Sequence, residues 1–208
     1  IGWALLSWLP GRALPSDRNL LVIAPETPGG GEEFAAFARG AIALLVARLQ
    51  RHQIEPGFQT ASFFRGPSED AGNAADAHKV MGVNLALVPV FESRPDVLRA
   101  RLELWNASRN QKIGTRVVES PIAEPLRFLD GLYRESAGML RLHASRENAV
   151  AAFGVRGAGT LRFLLQGIGR MHAATTAAET EKAVDNLDLA RRAEPEAATP
   201  PHAAGPTA

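Results

Sequence analysis

A chain of 208 residues accommodates one medium domain with an appendage, or two small domains. Hydrophobic residues make up 46% and charged residues 22%, which permits a packed core and excludes global disorder. The 23 basic and 22 acidic side chains leave a net charge of +1, so no long-range field holds polyanions, and the absence of Cys excludes disulfides, thiolate nucleophiles and zinc–cysteine sites.

The first residue is Ile1 rather than Met, so the chain reads as a segment of something longer. Residues 1–9 are apolar and carry Trp3 and Trp8. Pro10 ends this run well short of the roughly 20 residues a membrane-spanning helix needs. It reads either as the outer end of such a helix, with Trp at the interface, or as a short segment packed on the domain. No signal peptide is recognisable. Residues 1–19 are therefore taken as an apolar segment and linker.

Leu20, Leu21, Val22, Ile23 and Ala24 form a short apolar run stopped by Pro25, as expected of a buried strand. A glycine-rich loop follows. From residue 32 to 52 the period becomes helical, with Phe34, Phe37, Ala41, Leu44, Leu45 and Leu49 on one face. Residues 58–64 suit a second strand. Residues 74–81 suit a short helix closed by Gly82. Residues 85–91 are almost wholly apolar, though Pro89 implies a bulge or an edge. Residues 97–105 alternate cleanly, with Leu98, Ala100, Leu102 and Leu104 facing one way and Arg99, Arg101 and Glu103 the other. Residues 112–118 complete a meander. Helices are predicted over about 124–144, 161–173 and 180–193, and a low-complexity tail after Pro195. The expected fold class is α/β: a mixed sheet in βαβαβββα order with packed helices, plus a C-terminal α-helical hairpin. The expected boundaries are 20–153 for the α/β domain, 154–195 for the hairpin and 196–208 for a disordered tail.

Catalytic constellations were sought by spacing. The Gly29-Gly30-Gly31 loop lacks the Lys-Ser or Lys-Thr of a phosphate-binding loop, and Glu32 and Glu33 would repel a phosphate there. Gly154, Gly157 and Gly159 follow a helix rather than a strand, so they read as an interdomain hinge rather than a dinucleotide fingerprint. The five His are scattered without metal-ligand spacing, and no Gly-x-Ser-x-Gly elbow occurs. No catalytic residue, metal or cofactor is assigned.

Three stretches carry a resemblance. Leu21-Val22-Ile23-Ala24-Pro25 with Phe34-Ala35-Ala36-Phe37-Ala38-Arg39-Gly40, then Gln59-Thr60-Ala61-Ser62-Phe63-Phe64-Arg65-Gly66, then Ala75-Asp76-Ala77-His78-Lys79-Val80-Met81-Gly82-Val83-Asn84 resemble, in order, the TolB N-terminal-like domains of bacterial kinases, adenylate cyclases and winged-helix regulators. Glu26, the glycine run and Pro89 depart from that pattern. Ala183, Leu187, Ala190 and Pro195 resemble the second helix of a tetratricopeptide unit, with Gly167 or Gly169 in the first and an insertion in the turn between.

The resemblance implies a non-catalytic sensor or scaffold module of a larger signalling protein, acting through protein–protein contacts. It would be extracytoplasmic at the bacterial inner membrane if residues 1–9 end a membrane anchor, and cytoplasmic otherwise. Its partners would be a protein or further helical repeats, without nucleic acid. A small-molecule-binding regulatory domain and an uncharacterised hydrolase or transferase are the alternatives. Glu26, Thr27, Gly29, Gly30 and Gly31 form the candidate ligand or partner loop. Arg99, Arg101, Trp105, Ala183, Leu187 and Ala190 form the candidate partner surface.

Overall fold

The backbone follows the hydrophobic pattern closely. A computed structural model describes residues 14–54, 56–62, 74–143, 155 and 157–194. The expectations for the N-terminal apolar run and for the tail lie outside the described residues. The elements are β1 (Arg18–Val22), α1 (Glu32–Gln50), β2 (Phe58–Ser62), α2 (Ala74–Met81), β3 (Leu85–Ser93), β4 (Val97–Asn106), β5 (Gln111–Pro121), α3 (Pro125–Leu140), α4 (Ala158–Ala173) and α5 (Ala177–Ala193). The strands make one five-stranded sheet ordered β2-β1-β3-β4-β5. β1 runs parallel to β2 and β3, and β3, β4 and β5 are antiparallel in turn. The α/β class and mixed sheet read from the sequence are those of the structure.

Alternation sorts each strand between two faces. Leu20 and Val22 join the main core, whereas Leu21 and Ile23 join a smaller cluster with Ala74, Ala77, Val83 and Ala86 under α2. The meander puts Leu98, Ala100, Leu102 and Leu104 into the main core beneath α1 and α3. Leu102 and Leu104 are 0% exposed.

Pro89 lies inside β3, between β1 and β4, rather than at an edge. Its effect falls on the neighbouring strand. The Ile23 N–H donates to the Leu87 carbonyl, and a regular parallel ladder would next take the N–H of residue 89. Proline has none. β1 therefore ends at Val22, and pairing resumes as a single bridge between Glu26 and Val90. The chain advances from 23 to 26 while its partner advances from 87 to 89, as the Glu26 N–H reaches the Pro89 carbonyl at 3.0 Å. β3 itself has neither the expected bulge nor an edge position at Pro89; the irregularity falls on the strand beside the proline.

The hairpin differs from expectation. Its turn carries no insertion: only residues 174–176 separate α4 from α5. Thr176 and Glu179 form a reciprocal capping box that starts α5 at Ala177, three residues before the expected 180. α4 packs chiefly on α1 and touches α3 less. Gly157, just before α4, is held as well, since the Glu194 carboxylate accepts its N–H.

α1 is consequently buried on two sides. Phe37, Leu45 and Leu49 meet the sheet and α3, while Ala36 and Gly40 lie against α4. A Cβ on Gly40 would overlap the Leu165 carbonyl, and one on Gly169 would overlap the Ala36 carbonyl. The two backbones therefore meet at glycines because no side chain fits between them. A buried polar clamp joins α1 to α3. The Arg48 guanidinium donates to Asp130 at 2.8 Å and lies 3.8 Å over the Tyr133 ring, whose hydroxyl is 2.7 Å from His52 Nε2.

Two stability outcomes follow. Leu102→Ala removes a fully buried side chain and should cost about 2–5 kcal/mol in chemical denaturation; a loss near zero would mean the strand face is misassigned. Gly40→Ala should cost about 1–3 kcal/mol through overpacking, outweighing the roughly 1 kcal/mol that alanine adds to helix propensity. A stabilised Gly40→Ala protein would show that α4 does not sit on α1.

Candidate binding groove at the carboxyl end of the sheet

The loops after parallel strands and the N-termini of the helices they feed gather at one end of an α/β sheet, and ligand sites form there. In this chain that end holds an apolar groove of about 220 Å³, lined by Phe34, Phe37, Leu98, Ile122, Pro125, Ala158, Gly159 and Arg162. The first turns of three helices meet at it: Phe34 in α1, Pro125 in α3, and Ala158 and Gly159 in α4. None of the three is capped by a side chain of its N-cap residue. The opening is thus framed by three helix starts, with Glu32 and Glu33 in the first turn of α1 and the Glu194 carboxylate on the Gly157 N–H at the start of α4.

Aromatic packing links the groove to the core. Phe34 stacks on Phe37 at 6.4 Å and meets Phe91 edge-on at 6.5 Å; Phe91 in turn meets Phe128 at 5.8 Å. On the rim, Arg162 lies 4.0 Å from Glu33, with both side chains more than half exposed. Such a pair is worth little and exchanges readily with another anion.

The loop singled out in the sequence adjoins this groove without lining it. Glu26 is pinned to β3 by the bridge to Val90, and the Gly30 N–H turns back to the Thr27 carbonyl at 3.0 Å. Gly29 has φ +71°, a left-handed conformation that glycine adopts at no cost. Gly30 sits against the Phe34 ring, where a Cβ would come within 2.6 Å of Cδ1. Gly31 accepts the first helical bond, from the Ala35 N–H. The loop therefore sets the position of Phe34, and Phe34 forms the wall.

The candidate partner surface divides in two. Arg99, Arg101 and Trp105 lie on the sheet face opposite α1, with Trp105 packed against the small cluster under α2. Arg99 pairs with Glu92 at 3.1 Å and with Glu119. Arg101 and Lys112 pair with Glu103 at 3.5 and 2.8 Å, and Lys112 lies 5.0 Å over the Trp105 ring. This face is a ladder of compensated charge around a half-buried indole. Ala183, Leu187 and Ala190 require a correction. Ala183 and Ala190 are buried and Leu187 packs on Gly167 of α4, so the hairpin occupies this face internally. The exposed apolar residues of α5 are instead Val184 and Leu189, at 45% and 44%.

Sequence reading placed Phe34 and Phe37 in the core and did not single out Leu98, Ile122, Pro125, Ala158, Gly159 or Arg162 as site residues. One available signal was Ile122, an isolated apolar residue between Pro121 and the Glu124-Pro125 helix start, which is 41% exposed.

No family model and no curated protein matches this sequence. Solved structures do match at low identity. A PelC dodecamer from Paraburkholderia phytofirmans is 11% identical over 64% of this chain and 94% of that one, with a TM-score of 0.45. Lipoprotein GNA1162 from Neisseria meningitidis is 11% identical over 50% of this chain and 83% of that one, with a TM-score of 0.35. TolB from Acinetobacter baumannii is 11% identical over 60% of this chain and 29% of that one, with a TM-score of 0.37. TolB and a lipoprotein are thus among the structural neighbours of this chain.

Glu103, only 9% exposed, is the hub of the charged face. It also accepts from the Trp105 indole at 3.3 Å. Glu103→Ala strips a partner from two cations and an indole, and should cost about 1–3 kcal/mol. It should also red-shift the Trp105 emission, as the ring loses its cover. An unchanged emission and midpoint would show that the ladder contributes nothing.

Proposed function

We propose that this protein is a non-catalytic protein-interaction module of a larger bacterial signalling protein, and that its groove receives one large apolar side chain of an acidic partner segment. The groove's size and lining carry this reading. Small-molecule sites usually span about 300–1,000 Å³, whereas a dry cavity of about 150 Å³ holds a single benzene. A volume of about 220 Å³ therefore suits one aromatic ring and its stem better than a cofactor-sized ligand. Anchoring one such side chain in a pocket is how interface hot spots work.

Arg162, in the lining, favours a carboxylate beside that anchor. Among the described residues, Arg162 is the charged residue of the lining. On this reading the α4–α5 hairpin is a tetratricopeptide-like unit whose first helix helps to build the interaction site.

N-acetylphenylalanine is a minimal probe, since it joins one ring to one carboxylate. In an NMR titration of the full chain it should move the amide signals of Phe34, Ile122 and Gly159, with affinity in the millimolar range on the order of −4 kcal/mol. Its amide derivative should bind several-fold more weakly. Gly159→Leu should block binding without unfolding the chain, because a Cβ there meets nothing within 4 Å. Shifts scattered over the surface, or undiminished by Gly159→Leu, would refute the groove as the site.

A further inference from the structure

On the other flank of α1 lies a second cavity, of about 280 Å³, lined by Glu32, Arg39, Arg170, Ala173, Ala174, Glu179 and Lys182. Three helices contribute: α1 gives Glu32 and Arg39, α4 gives Arg170, and α5 gives Glu179 and Lys182. Three cations thus face two carboxylates, and neither carboxylate is well placed to neutralise them. Glu179 is engaged by its capping box, accepting from the Thr175 N–H at 2.8 Å, the Thr175 hydroxyl at 3.0 Å and the Thr176 N–H at 3.1 Å. Glu32 is 70% exposed and reaches Arg170 at only 3.8 Å.

Among the described residues, Arg39 has no carboxylate within ion-pairing distance. The Nε atoms of both Arg39 and Arg170 are buried without a hydrogen-bond acceptor. Burial holds the Arg39 guanidinium below its usual pKa, Glu32 offsets part of this, and the like charge of Arg170 adds to it. A guanidinium stays protonated in proteins, so Arg39 keeps its charge here and Arg170 adds a second one nearby. Arg39 and Arg170 both line this cavity, and guanidinium groups give an oxyanion charge-assisted bonds.

We infer that this cavity is a binding site for a small oxyanion, a phosphate or carboxylate group, held between Arg39, Arg170 and Lys182. The anion neutralises the repulsion between α1 and α4 and joins both to α5, so it clamps the hairpin in place. Nothing in this inference depends on the groove, which lies on the opposite flank of α1.

The test is a thermal-unfolding and NMR titration of the full chain with inorganic phosphate and, separately, with succinate, against sodium chloride at matched ionic strength. Phosphate or succinate should raise the melting temperature saturably, and move amide signals at Arg39, Arg170 and Lys182. The stronger of the two identifies the group. Arg39→Gln discriminates a binding role from a structural one. Removing an uncompensated charge should leave the melting temperature in chloride equal or higher, while weakening the anion about tenfold or more through loss of a charge-assisted bond. Lys182→Gln, at an exposed helix position, should weaken it less. An equal rise in wild type and Arg39→Gln, or no response beyond that to chloride, would overturn the site. So would an Arg39→Gln protein that is destabilised in chloride, because Arg39 would then be serving the fold.

Discussion

The close crossing of α4 over α1 is the constraint on which the rest of this structure depends. Helices with ordinary side chains between them stand about 8–10 Å apart. Here Gly40 lies on the Leu165 backbone and Gly169 on the Ala36 carbonyl, with no room for a methyl group at either point. Contact at this range gains dispersion from backbone atoms, and it fixes the position of α4 along α1 as well as its distance. The first turn of α4 is thereby placed beside Phe34 and Phe37, and its last turn beside Glu32 and Arg39. The groove and the cationic cavity are the two flanks of this one crossing.

The same contact explains which parts of the fold the sequence made legible. Period-two alternation in β4 identified Leu98, Leu102 and Leu104, because one face is apolar and the other carries Arg99, Arg101 and Glu103. The sheet face of α1 was equally plain, since Phe37, Leu45 and Leu49 are large. Its second buried face was not. Ala36 and Gly40 are small residues that suit an exposed helix surface as well as a tight crossing, and only the location of Leu165 and Gly169 distinguishes the two. The start of α5 was missed for a local reason: Thr176 and Glu179 follow an alanine-rich stretch in which a weak period hid the capping signal. The groove was illegible because it belongs to no single segment. It draws on α1, β4, the end of β5, α3 and α4, which only the three-dimensional fold brings together.

The two sheet faces are managed differently, and this bears on how the molecule makes contacts. Over β1 and β3 the second face is covered by α2; over β4 and β5 it carries ion pairs around Trp105. Cross-strand charge pairs contribute modestly to stability, but they keep a solvated strand face from becoming adhesive. β5 adds a bulge opposite Leu104 and Trp105, together with Lys112 and Arg116, as edge strands commonly do. The carboxyl end of the sheet instead holds the apolar groove between Phe34, Phe37, Leu98, Ile122 and Pro125. If the groove anchors a partner as proposed, its recessed shape selects among partners, where an open apolar sheet would bind many surfaces without discrimination.

The two proposed sites share α4, and their relation follows from how α4 is seated. A ligand shifts a conformation only through a difference in its affinity for two states. The relevant states are α4 seated on α1 and α4 released, since glycine-to-backbone contact leaves few arrangements between full seating and loss of contact. Released, α4 takes Ala158, Gly159 and Arg162 out of the groove and Arg170 out of the cavity. Both ligands therefore bind the seated state better, and by linkage each must tighten the other by the same factor. That factor is bounded by the fraction of chains in which α4 is released. In a well-packed protein the fraction is small and the coupling weak. Gly40→Ala, which loosens the seat, should raise the released fraction, so a coupling hidden in the natural sequence becomes measurable in that variant. Binding of N-acetylphenylalanine to Gly40→Ala should then strengthen on adding the oxyanion, while the natural sequence shows almost no change. Equal, independent affinities in both proteins would mean that α4 does not link the two flanks.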